Sequence, residues 1–209
     1  MRFLRKKKVI RTVTLILIAV FGLMYWQTRE KPSEQPKAQN EITILGKSEV
    51  SPEKMAAYIK KKNPAAKLNC SIEELVRIYY EESNAEGVRA DLALCQAIKE
   101  TGCFAYGKDV IPEQNNYCGL GTTGGGVKGV FFAAPQDGVR AHIQHLLAYT
   151  TTRSPRKDLV DPRYVLIKEK HPEIFGKVAT WVGLNGKWAV PGKNYGQDIL
   201  NMLEEVKRM

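Results

Sequence analysis

The sequence predicts a mainly α domain, α+β at most, with a small irregular or β lobe interrupting its helices and an apolar helix in front. Three observations carry this. Apolar residues recur at helical spacing from Ser51 to Glu100 and again from Pro135 to Tyr149. Between Cys103 and Phe132 that period vanishes, and Gly, Asn and Pro crowd in. Ahead of both, Thr12 to Trp26 is almost wholly apolar.

The N-terminus comes first. The formal net charge is +10, and six cations with no acid fall within residues 1–11. Cations before an apolar run stay on the cytoplasmic side, and Tyr25 and Trp26 suit the far interface. The run is short for a span and has the length of a signal-peptide core, but no Ala-x-Ala site follows it. An uncleaved signal anchor over 12–28 is therefore favoured over a cleaved signal, with 1–11 cytoplasmic and the catalytic bulk outside the membrane. Thr12, Thr14 and Gly22 are too sparse to define a packing face for a membrane-protein partner, which stays possible. The remaining charge is modest, so no nucleic-acid partner is expected.

Residues 30–40, EKPSEQPKAQN, are polar and Pro-containing and read as a spacer. The domain starts near Ile42 or Ser51; a linker over 29–50 and a domain over 51–209 is the division adopted. Ser51-Pro52-Glu53 supplies an N-cap, a proline at N1 and a first-turn acid. Ser71-Ile72-Glu73-Glu74 opens a second helix through about Glu82, striped by Ile72, Leu75, Val76 and Tyr79. The third runs from about Val88 to Glu100 and is closed by Gly102. Val127 to Phe132 offers a short strand or hairpin. Helix returns from Pro135 to about Tyr149, Asp161-Pro162 and His171-Pro172 each open a short one, and Asn194 to Met209 forms the last.

Cysteines 70, 95, 103 and 118 allow three pairings. Cys103 and Cys118 bracket the lobe and are the better pair, whereas Cys95 lies on an apolar helix face. No Cys-x-x-Cys spacing points to zinc. His142 and His145, three apart on a helix, lack a completing acid or cysteine and read as hydrogen-bonded core histidines. No metal and no cofactor is expected.

Glu100 is the chemically distinctive acid. An apolar helix surface and the negative end of its own helix both disfavour its charged form, which raises its pKa. "AIKETG" is followed at short distance by "NNYCGLG", and "WAVPGKNYG" comes late in the chain, at 188–196. These three segments, in this order, resemble the glucosaminidase domain of glycoside hydrolase family 73 over about Ser51 to Met209. The resemblance implies a lysozyme-like fold whose small lobe walls a cleft. It also implies cleavage of the β-1,4 bond after N-acetylglucosamine in peptidoglycan, with Glu100 as general acid.

Carried over in the same way, Asn115 and Asn116 shape the cleft and reach acetamido groups, and Tyr195 contacts sugar near the cleavage point. Tyr117, Gly119 and Tyr106 join them as candidate substrate contacts, with Trp188 a further stacking candidate and Trp181 a core residue. Two carboxylates compete as partner, Glu113 for its place beside the asparagines and Asp109 close behind. An inverting course needs the pair about 6.5–9.5 Å apart and a retaining one about 5 Å, while the substrate's own acetamido group is a third route. A lytic transglycosylase leaving 1,6-anhydro ends, and a silent wall-binding protein, are the competing readings.

Overall fold

The computed structural model describes residues 42–209, so the basic segment, the anchor and the spacer at 30–40 lie outside the described residues. Among the described residues, no helix is long and apolar enough to cross a membrane.

Helix α1 (Pro52–Lys62) starts where Ser51 Oγ accepts from Lys54 N, and α2 (Ile72–Glu86) starts where Ser71 Oγ accepts from Glu74 N at 3.1 Å. The α2 helix continues a full turn past the expected Glu82, to a left-handed cap at Gly87. The reason is pairing. Glu82 and Glu86, which look like solvent residues in the sequence, are buried. Glu82 receives Arg140 at 3.1 Å and Lys157 at 2.9 Å; Glu86 receives Arg153 at 3.1 Å. Helix α3 (Ala90–Thr101) ends on left-handed Gly102, as its sequence predicts.

Helix α4 (Pro135–Thr150) packs along α2, and α6 (Tyr195–Lys207) packs along α3. Short α5 (Tyr164–Lys170) leans on α4. Leu75, Tyr79, Leu92, Leu94, Ile143, Leu146 and Trp181 are fully buried and form the centre of one hydrophobic core. Burial of such side chains, at about 1.5–3 kcal/mol each, is the main force assembling the helices. The single-turn helix Val182–Leu184 lies near the start of α6, where Gly196 permits close approach. A Cβ there would stand 2.2 Å from the Trp181 carbonyl oxygen.

Three expectations need correction. Residues 42–50 belong to the domain rather than the linker, in line with a start at Ile42. Ile44 is fully buried, its N–H donates to Ala179 O at 2.9 Å, and its carbonyl accepts from Arg89 N at 3.1 Å. No helix follows His171-Pro172, where the chain makes successive turns. The lobe contains no strand at 127–132, only a bridge between Gly124 and Val127 and single backbone bonds from Val130 N to Leu120 O and from Phe132 N to Gln114 O, both at 2.9 Å; the other bridges among the described residues are equally isolated. The domain is thus mainly helical, consistent with a lysozyme-like fold.

Candidate active site

Glu100 stands one residue before the end of α3, where a helix gives way to an irregular lobe. Its Oε1 accepts from the Trp188 indole N–H at 3.1 Å and from the Tyr195 hydroxyl. Both donors come from the C-terminal part of the chain. Trp188 is held edge-on or tilted against His142, His145 and Tyr149 of α4, with ring centroids 5.0–5.8 Å away. Tyr195 is the first residue of α6 and is almost wholly buried.

Burial pushes the Glu100 pKa up. The bonds from Tyr195 and Trp188, with the charges of Lys99 and Lys108, pull against that without cancelling it. The expected direction is therefore present, with desolvation as the principal cause.

Two cavities share Glu100 in their linings. One, of about 270 Å³, lies toward the lobe and is lined by Glu100, Tyr106, Lys108, Asp109 and Thr122 among others. The other, of about 390 Å³, lies toward the turn before α6 and is lined by Glu100, Lys108, Gly192, Lys193 and Tyr195 among others. Two cavities lined by one protonatable acid suit an extended substrate with its scissile bond near that acid.

Residues 76–208 match the Glucosaminidase family, described as mannosyl-glycoprotein endo-beta-N-acetylglucosaminidase. The chain belongs to this family. It is a glycosidase acting on peptidoglycan. An uncharacterized protein of Borreliella burgdorferi is 32% identical over 163 residues, covering 78% of this chain and 76% of that one. No solved structure matches.

Within this glucosaminidase the candidates separate clearly. Glu100, Tyr195, Asp109 and Tyr106 come together at the cavities. Glu113, the favoured partner, does not; it is exposed on the turn Pro112–Gln114 and lines neither cavity. Asp109 is the better-placed acid, with Oδ1 accepting from Gly126 N at 2.8 Å.

Asn115 and Asn116 are buried, and their amides hold the lobe together instead of reaching for acetamido groups. Asn116 Nδ2 donates to Leu120 O at 2.9 Å, and its Oδ1 accepts from Leu120 N at 2.9 Å. Asn115 Nδ2 donates to Phe132 O, and its Oδ1 accepts from Asn69 Nδ2, both at 2.9 Å. Tyr117 is a core residue, its ring edge-on to Tyr79 and Phe104. Gly119 turns the chain at φ 71°, with its carbonyl accepting from Thr122 Oγ1.

The cysteines 70, 95, 103 and 118 are free thiols, so the pairing of Cys103 with Cys118 is not made. The histidines are hydrogen-bonded helix residues: His142 contacts Tyr79 and Gln96, and His145 contacts Asp161 at 2.8 Å. Among the described residues, no group of three or more His, Cys, Asp or Glu could hold a metal.

Sequence reasoning missed two partners. Trp188 is a donor to Glu100 and not simply a stacking face. Gln96 donates to Tyr195 Oη at 2.8 Å and was not singled out. A signal for it existed, because Gln96 is the polar break in the run ALCQAI, one helical turn before Glu100.

Proposed function

We propose that this glucosaminidase cleaves the β-1,4 bond after N-acetylglucosamine in glycan strands, with Glu100 as the general acid. The observation that carries the reading is a buried carboxyl of raised pKa on a residue that lines two cavities. Both protein donors go to Oε1, so Oε2 holds the proton that the leaving oxygen needs. As that proton moves to the glycosidic oxygen, the bond from the sugar's anomeric carbon breaks and positive charge develops on the ring. Glu100, now a carboxylate, is stabilised by the same two donors. Asp109 is the residue on the facing lobe that polarises an attacking water or steadies the ring charge.

The cation-rich start and apolar run of the sequence support a further part of the proposal. We place the enzyme at the cell membrane, anchored through residues 12–28, with its cleft on the wall side.

The test is mass spectrometry of borohydride-reduced products from purified peptidoglycan. Reduced N-acetylglucosamine ends are expected with the wild type and none with Glu100→Gln. Anhydro-muramic ends would make the enzyme a lytic transglycosylase. Glycan binding without new ends would make it a silent wall-binding protein.

A further inference from the structure

Behind Glu100 runs a row of side-chain hydrogen bonds through the interior. Tyr195 Oη meets Gln96 Nε2 at 2.8 Å, Gln96 Oε1 meets His142 Nε2 at 2.9 Å, and His142 Nδ1 meets Tyr79 Oη at 2.9 Å. Tyr79, Gln96 and His142 are 0% exposed and Tyr195 is 5% exposed. The four residues come from α2, α3, α4 and α6, so the row crosses the whole helical core.

Such a row can be polarised in two directions. A neutral imidazole donates from one nitrogen and accepts at the other, an amide donates from nitrogen and accepts at oxygen, and a hydroxyl has one proton to give. In one direction Tyr79 donates to His142, His142 to Gln96, Gln96 to Tyr195 and Tyr195 to Glu100. In the other, every step reverses, and Glu100 must hold its proton on Oε1 and give it to Tyr195.

The far end decides between them. Tyr79 Oη has His142 Nδ1 as its hydrogen-bond partner among the described residues, and its ring is fixed edge-on to Tyr117 and His142. In the reversed row its proton would have no acceptor in a fully buried site, and an unmade buried bond is costly. In the first direction Tyr79 is a terminal donor and its proton has an acceptor in His142 Nδ1. A neutral His142 is also what its surroundings enforce, since burial, with His145 nearby, holds its pKa down to about 3.

We propose that Tyr79, His142 and Gln96 are positioning residues that make Tyr195 donate to Glu100 and so keep the acid's proton on Oε2, facing the glycosidic oxygen. The inference rests on Glu100 being the general acid. Trp188 reinforces it by placing a second donor on the same Oε1.

The test combines histidine NMR with kinetics on the full-length protein. The chain has three histidines, so nitrogen-15 labelling with His145→Gln and His171→Gln variants assigns the His142 ring nitrogens. The expected state is neutral, with the proton on Nε2 and a bare Nδ1. A proton on Nδ1 would overturn the proposal.

Tyr79→Phe is the kinetic arm. It keeps the ring but removes the terminal hydroxyl, so the reversed row no longer orphans a proton and Glu100 can hold its proton on Oε1. General acids contribute roughly 10²–10⁴ in rate, so a loss of about tenfold or more in kcat is expected, with KM unchanged. Wild-type kcat in a folded Tyr79→Phe protein would overturn the proposal. Should that variant not fold, the wild-type tautomer decides alone. If Glu100→Gln remained active, the general-acid assignment would fall, and the tautomer would still report the direction of the row.

Discussion

Trp188 donates its indole N–H to Glu100 Oε1 at 3.1 Å across 88 residues of sequence. The acid is thus supplied by α3 but is held by a turn near the other end of the domain. Trp188→Phe keeps an aromatic ring against His145 and Tyr149 while deleting the donor. A carboxylate that loses a donor is less stable, so the Glu100 pKa rises further. The acid then stays protonated to higher pH, and the alkaline limb of the kcat profile should move upward. The maximal rate should fall about fivefold, in line with roughly 1 kcal/mol for one hydrogen bond. A limb moving downward in kinetics across pH would contradict this account.

Glu100→Gln should be inactive and also more heat-resistant at neutral pH. The folded-state pKa of Glu100 is raised from 4.5 by burial, so folding favours its protonated form. That contribution is full below the unfolded pKa and is lost as pH rises through the folded one. Above it, the wild type carries a desolvated carboxylate that the amide variant lacks. Melting curves should therefore separate by a few degrees near pH 7.5, since about 1 kcal/mol moves Tm about 2–4 °C at this size. They should converge near pH 4. Equal melting temperatures at both pH values would mean that burial of Glu100 costs the fold nothing.

These two residues also mark what sequence can and cannot convey. The place of Glu100 at a helix end was legible because an apolar face and a following glycine are local signals, whereas its candidacy as the acid came from the family resemblance. The caps at Ser51, Ser71 and Gly102 were legible for the same reason. Trp188 as a donor was not, since nothing in a turn of the chain tells which distant side chain its N–H will reach. The structural bonds of Asn115 and Asn116 were hidden for another reason. Asparagine beside glycine marks a polar loop, yet a loop with few regular backbone bonds needs side-chain amides to satisfy its own carbonyls. Here the lobe consumed both. Burial of Glu82 was likewise hidden, because its cations Arg140 and Lys157 lie on α4 and the loop after it.

The choice between the two partner acids is open to direct test. Asp109 shares a cavity with Glu100, and exposed Glu113 does not. Asp109→Asn should lower kcat about 10²-fold or more with little change in KM, as expected for loss of a group acting on the attacking water. Glu113→Gln should stay within about twofold of wild type, the usual range for a surface substitution. A fully active Asp109→Asn would shift the nucleophile's role to the substrate's own acetamido group.

The lobe itself depends on one glycine of α4. Gly138 faces the backbone of Asn115, and a Cβ built there would stand 1.8 Å from the Asn115 carbonyl oxygen and 3.3 Å from the Tyr117 ring. Neither neighbour yields easily, because Asn115 is tied to Asn69 and Phe132 and Tyr117 is packed on Tyr79 and Phe104. Gly138→Ala would gain helix propensity of about 1 kcal/mol in an unconstrained helix. Overpacking of about 1–3 kcal/mol should outweigh that gain, so a net loss of stability in denaturant melts is expected. The displaced lobe carries Asp109 and Tyr106 on the wall opposite Glu100, so activity should fall as well, more than the folded fraction does. A variant as stable and as active as wild type would show that the lobe does not seat against α4 through this contact.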